Sequence, residues 1–254
     1  YEISACLVGS EMCIRDSYQD DNGKTSTFES VLEAEKIILD MDLSKSYKPI
    51  DGDKEFIKKS LEMIFGEKIL EEKKTFPIGL NTPGGTGALK LVSEFLNEFS
   101  SKSTIWFSNP TWANHKPIFE SSGFETKGYD YFDKNSNNID FENMISTIKS
   151  IPSGDIIVLH GCCHNPTGCD LHEDQWKELA NVLKQNNIIT ICDFAYQGLA
   201  DGVEQDAIGV RILSEILDDI FICSSYSKNF GLYSERVGCL FYSTKDKNKC
   251  EKKC

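Results

Sequence analysis

Apolar residues along this chain alternate between two patterns: stripes spaced by three and four, and short unbroken runs. Ser26-Thr27-Phe28-Glu29 has the form of a capping box and opens a predicted helix to about residue 40. Asp53 is an N-cap candidate for a second helix, which runs to Phe65 and stops at Gly66. Beyond Gly84, the spacing of Leu89, Val92, Phe95 and Leu96 predicts a helix with one apolar face. Strands are then predicted over 104–107, 125–131, 155–160, 188–193, 220–225 and 237–242. Helices are predicted over 112–122, 141–150, 173–186 and 208–217.

Unbroken apolar strands that alternate with helices imply an α/β fold whose mostly parallel sheet is buried on both faces. Sheets of this kind bind ligands beyond the carboxyl ends of their strands. The residues to watch are therefore Asn109, residues 161–168, Asp193 and Ser225, each of which follows an apolar run. There is no internal repeat and no low-complexity linker.

Composition narrows the picture only slightly. With 254 residues the chain is long enough for one large domain, or one plus part of a second. Its net charge of −13 argues against nonspecific nucleic-acid binding. No apolar run approaches the roughly 20 residues that span a bilayer, so no membrane partner is expected. The short lysine-rich stretch over 245–253 reads as a solvated helix or a cut end. The ten cysteines mostly sit inside apolar runs, as Cys192 and Cys223 do, and read as buried free thiols in a reducing cytoplasm rather than as a disulfide framework. Residues 1–17 lack the basic start and long apolar core of a signal peptide and are left unassigned.

Several segments carry chemistry. Gly84-Gly85-Thr86-Gly87 opens a helix, where free N–H groups attract an anion, although alone it reads more readily as a glycine-rich turn. It is not a P-loop, because no Gly-Lys-Ser/Thr follows. Cys162-Cys163-His164 has no second Cys/His pair at a zinc-ribbon or zinc-finger spacing. Two consecutive cysteines at a strand end are also expected to point to opposite sides, so no metal is expected there. Asn165-Pro166 reads as a turn that fixes the asparagine amide. Asp193 emerges from an isoleucine-rich strand, either paired with a cation or capping the strand end, and Tyr196 is close enough in sequence to reach the same site. Lys228 follows the strand that ends in Ser224-Ser225, with Arg236 eight residues later; a lone lysine in such a position is ordinarily a surface residue.

Taken together and in this order, the runs 82–89, 109–115, 162–168, 193–198 and 224–238 resemble the aspartate and aromatic aminotransferase branch of the class I pyridoxal-phosphate enzymes, over about residues 18–244. The resemblance implies the large domain of fold type I over 26–254, with residues 18–25 a remnant of the N-terminal segment and the smaller C-terminal domain missing. It implies that Lys228 holds pyridoxal phosphate as a Schiff base and shuttles a proton. Asp193 would pair with the pyridine nitrogen, Tyr196 and Asn165 would bond the phenolic oxygen, and Trp112 would stack on the ring. Gly85, Thr86, Ser225 and Arg236 would hold the phosphate. Tyr47 would reach the phosphate of a neighbouring subunit, which implies a homodimer. His115 and His164 match supporting histidines, with His164 expected to brace Asp193. Ala113 stands where the family usually has proline. The implied activity is amino transfer from aspartate, or an aromatic amino acid, to 2-oxoglutarate. The arginines that grip substrate carboxylates are expected beyond residue 254, so the alternative is a non-catalytic piece that retains only the cofactor half of the site.

Overall fold

The structure, a computed structural model, describes residues 25–251 apart from Ser26 and Lys73. The readings made for residues 1–24 and for the Ser26 cap lie outside them. Seven strands form one sheet: β1 (Phe76–Pro83), β2 (Thr104–Asn109), β3 (Glu125–Asp130), β4 (Ile156–His160), β5 (Ile189–Phe194), β6 (Asp219–Ser225) and β7 (Val237–Thr244). Their order is β1-β7-β6-β5-β4-β2-β3. Neighbours from β6 to β3 are parallel, and β7 runs antiparallel to both β6 and β1.

The unbroken apolar strands have the expected cause. In β4, Ile157 and Leu159 belong to the core on one face of the sheet, and Ile156 and Val158 to the core on the other. Strand β6 repeats this, with Ile220 and Ile222 on the first face and Phe221 and Cys223 on the second. Helices cover each face. The longer helices of the chain are α1 (Glu29–Asp40), which buries no residue, α2 (Lys54–Phe65), α3 (Gly84–Ser100), α4 (His115–Glu120), α5 (Phe141–Lys149), α6 (Glu173–Gln185) and α7 (Ile208–Ile216). Helices α5, α6 and α7 cover the first face through residues such as Ile148, Leu183 and Leu213, and α3 covers the second through Leu89, Val92 and Leu96. Each fully buried leucine or isoleucine contributes about 1.5–3 kcal/mol.

Local signals were followed closely at α2. The Asp53 carboxylate accepts from the N–H groups of Glu55 and Phe56, and Gly66 ends the helix at φ 77°. Helix α1 instead begins at Glu29 behind Phe28, which makes no side-chain cap bond. Phe95, assigned by its spacing to the apolar face of α3, is 47% exposed. Helix α4 is shorter than its pattern, because residues 112–114 form a turn before it. Strand β1 was not anticipated: Pro77, Gly79 and Pro83 break its apolar pattern, which an edge strand tolerates.

Candidate active site

The carboxyl ends of β4, β5 and β6, the start of α3 and the loop entering β7 surround a cavity of about 460 Å³. Nine of the ten residues expected from the sequence to contact the cofactor line it. From the glycine turn and the segment after β2 come Gly85, Thr86 and Trp112; from the next two strand ends come Asn165, Asp193 and Tyr196; from the last loop come Ser225, Lys228 and Arg236. Tyr47 is fully exposed and does not line the cavity of its own chain.

One corner of the cavity is a cradle built for close approach. Gly84, at φ 73°, opens α3, and a methyl group there would come within 2.6 Å of Arg236 Nη2. On Gly85 it would meet Ser225 Cβ at 3.0 Å. Across the sheet, Gly238 lies so close to Gly84 that a Cβ would sit 2.5 Å from the Gly84 carbonyl carbon. Absence of side chains thus brings the helix start, the Ser225 hydroxyl and the Arg236 guanidinium together, a donor set suited to a phosphate. Arg236 is aimed by bonds donated from Nη1 to the Tyr233 carbonyl at 2.9 Å and to Ser227 Oγ at 3.4 Å.

Asp193 is the penultimate residue of β5 and is held by a histidine. His115 Nε2 lies 3.0 Å from Asp193 Oδ2, and His115 is fully buried. Its Nδ1 lies 2.8 Å from Thr111 Oγ1, which also lies 3.1 Å from His160 Nε2. Phe107 stacks on the His115 ring and Trp112 meets it edge-on. Burial, aided by the two neighbouring histidines, holds His160 well below its ordinary value, so it is neutral at pH 7.

The expectation that His164 braces Asp193 is corrected. His164 Nε2 bonds Ser108 Oγ and its Nδ1 bonds Thr167 Oγ1, both at 2.8 Å, while Tyr131 stacks on its ring. The ring is therefore used up tying its loop to β2, and the helix that begins at His115 supplies the partner of Asp193. His164 supports Asn165 next to it, whose Nδ2 donates to the Tyr196 hydroxyl at 3.5 Å. Lys228 Nζ lies 5.3 Å from the centre of the Tyr233 ring.

The sequence reading missed Thr111, His160 and Tyr233. His160 carried a signal, because it is the last residue of an apolar strand. Thr111 and Tyr233 lie inside the runs 109–115 and 224–238, but only the fold shows their contacts with His115 and Lys228.

Comparisons with known proteins agree with this geometry. Residues 16–252 match the family described as aminotransferase class I and II. The chain is 42% identical over 223 residues to the aspartate aminotransferase of Escherichia coli K12, covering 87% of this chain and 56% of that protein. It is 39% identical to the aromatic-amino-acid aminotransferase of Paracoccus denitrificans, with 88% and 56% covered. Among solved structures it is similar to an aromatic-amino-acid aminotransferase from Burkholderia pseudomallei covalently bound to pyridoxal phosphate, with a TM-score of 0.88, 31% identity, and 99% of this chain and 68% of that one covered. The chain thus spans about 56% of the length of the curated relatives it matches. With a family match along most of its length and a glycine-lined helix start, a strand-end carboxylate and a lysine around one cavity, the chain belongs to the class I and II aminotransferases, a family of pyridoxal-phosphate-dependent enzymes.

Proposed function

We propose that the intact protein is a transaminase that moves an amino group from aspartate, or from an aromatic amino acid, to 2-oxoglutarate. The observation that carries this reading is the convergence of Lys228, Asp193, Asn165, Tyr196 and Arg236 on one cavity from separate strand ends. Pyridoxal phosphate, when bound, supplies an electron-withdrawing ring that eases removal of the proton from the amino acid's α-carbon. Lys228 Nζ would anchor it and would move the proton at the substrate Cα. The Asp193 carboxylate, fixed by His115, would favour a protonated ring nitrogen. Asn165 and Tyr196 would donate hydrogen bonds to the phenolic oxygen, and Trp112 would shield the ring from water. Gly85, Thr86, Ser225 and Arg236 would hold the phosphate.

The same reading makes residues 26–254 the large domain of a cytoplasmic homodimer, with residues 18–25 belonging to the N-terminal segment. Support for the dimer comes from the segment leading to Tyr47. Helix α1 buries no residue, and Ile37, Leu39, Tyr47 and Ile50 all face outward. An apolar run of this kind calls for a partner surface, and Tyr47 then reaches the partner's phosphate.

A second reading is that residues 1–254 alone form a non-catalytic piece that holds cofactor without turning over substrate. It is favoured by the share of the relatives' length that is matched, and by Leu91, Phe95 and Phe99, which α3 leaves exposed. Reconstitution with pyridoxal phosphate separates the readings. The intact protein is expected to show an imine absorption band that Lys228→Ala removes, and persistence of the band in that variant would overturn the assignment of the lysine. Turnover of aspartate compared with tyrosine and phenylalanine sets the substrate. Turnover by a dimer of residues 1–254 alone would exclude the non-catalytic reading.

A further inference from the structure

Behind the loop that carries Asn165, two consecutive thiols face one carboxylate. Cys162 Sγ, Cys163 Sγ and a carboxylate oxygen of Asp206 all lie within 4.8 Å of one another. The rule that consecutive side chains point to opposite sides fails here because it holds only for extended backbone. Strand β4 ends at His160, and Cys163 adopts φ 47°, which turns its side chain toward that of Cys162.

Each of the three groups is held in place by the fold. The Asp170 carboxylate accepts from the N–H groups of Cys163 at 2.6 Å and His164 at 2.8 Å, fixing the left-handed turn. Asp206 is buried, and its oxygens accept from the N–H groups of Gly198, Ala200 and Asp201 at 2.8, 3.1 and 2.9 Å. Those bonds orient the carboxylate as outer hydrogen bonds orient a metal-bound one; Oδ2 takes two of them and Oδ1 one, so Oδ1 keeps acceptor capacity. Cys162 is buried and Cys163 half-buried, which leaves a path from solvent on the Cys163 side.

We propose that Cys162, Cys163 and Asp206 form a binding site for a thiophilic divalent cation of the zinc and cadmium class. Two thiolates and one carboxylate are a soft-to-borderline donor set, which selects such ions over magnesium or calcium. Three protein ligands leave a fourth tetrahedral position for water. Binding releases the thiol protons, so occupancy rises with pH. The ion would cross-link two segments that otherwise meet only through noncovalent contacts. One carries Asn165 after Cys163, and the other runs from Tyr196 to Asp206. Asn165 and Tyr196 line the cavity, so occupancy stiffens both donors. The site itself does not depend on the transaminase reading.

The test is titration of the reduced, chelator-stripped intact protein with Cd²⁺ alone, following the ultraviolet thiolate-to-cadmium absorption. The wild type is expected to bind one more equivalent of Cd²⁺ than the Cys162→Ser/Cys163→Ser double variant. Each single cysteine variant should weaken that equivalent at least about tenfold, and Asp206→Asn should weaken it while keeping the absorption. Amide exchange within 162–170 and 195–206 should slow on Cd²⁺ addition in the wild type alone. Far-ultraviolet dichroism checks that the variants fold, and the two serine variants decide the matter if Asp206→Asn does not. Equal cadmium stoichiometry and affinity in the wild type and the double variant would overturn the site.

Discussion

His115 Nε2 and Asp193 Oδ2 sit 3.0 Å apart, and the histidine is gripped on its other side by Thr111. A buried ring with both nitrogens engaged cannot rotate without breaking a bond, so the carboxylate that faces the cavity is held in one orientation. Loss of a hydrogen bond to a charged group costs about 1.5–3 kcal/mol. His115→Gln should therefore weaken cofactor binding about 10–100-fold, as measured by titration of the imine absorption. Combining it with Asp193→Asn should give less than the sum of the two single effects, because the residues act as a unit. Strict additivity would show that His115 does not act through Asp193.

Gly238→Ala tests the cradle. The added methyl has no room between the Gly84 carbonyl carbon and the Ser224 oxygen, which lie 2.5 and 2.7 Å from its position. Both obstacles are backbone, so the helix start must move. Overpacking of this kind costs about 1–3 kcal/mol. A lowered melting temperature together with weakened binding of pyridoxal phosphate is the expected result. A variant with wild-type affinity for the cofactor would separate the cradle from phosphate binding.

Stability should fall as the medium is acidified, with a recognisable part due to His164. Burial lowers this residue from 6.5 to about 4. Between those values the unfolded chain takes up a proton that the folded chain refuses. The contribution is complete above pH 6.5 and is lost as pH falls toward 4. Urea unfolding at pH 7 and pH 5 should show a smaller pH difference in His164→Gln than in the wild type. An unchanged difference would assign the acid sensitivity elsewhere, His160 being the next candidate.

Leu183, fully buried on the α6 face of the sheet, tests the frame rather than the site. Leu183→Ala should cost about 2–5 kcal/mol in chemical denaturation. Cofactor affinity of the folded fraction should be kept, because the residue lies away from the cavity.

Much of this was legible in the residues. Strands such as β4 and β6 announced themselves as unbroken apolar runs because both of their faces are covered, and Asp53 marked its helix because its carboxylate has a local task. The site residues after strand ends followed from the same logic. What was hidden depends on contacts between distant segments. Strand β1 gives no periodic signal, since Gly79 is required where a Cβ would strike Ile57 and Phe241 at 2.7 Å. His164 and His115 look alike as sequence. Only the fold reveals that Ser108 and Thr167 occupy one while Asp193 faces the other. The paired sulfurs of Cys162 and Cys163 follow from a single positive φ that no neighbouring residue signals.

The reversed strand β7 has an entropic consequence for Lys228. Ser225 and Gly238 are paired across β6 and β7, and the Tyr226 N–H donates to the Val237 carbonyl at 3.0 Å. The loop bearing the lysine is therefore tied shut at both ends by the sheet. Closing a loop of this length costs about 2 kcal/mol in chain freedom. That cost is met when the protein folds, so a ligand arriving at the amine finds its tether already gathered.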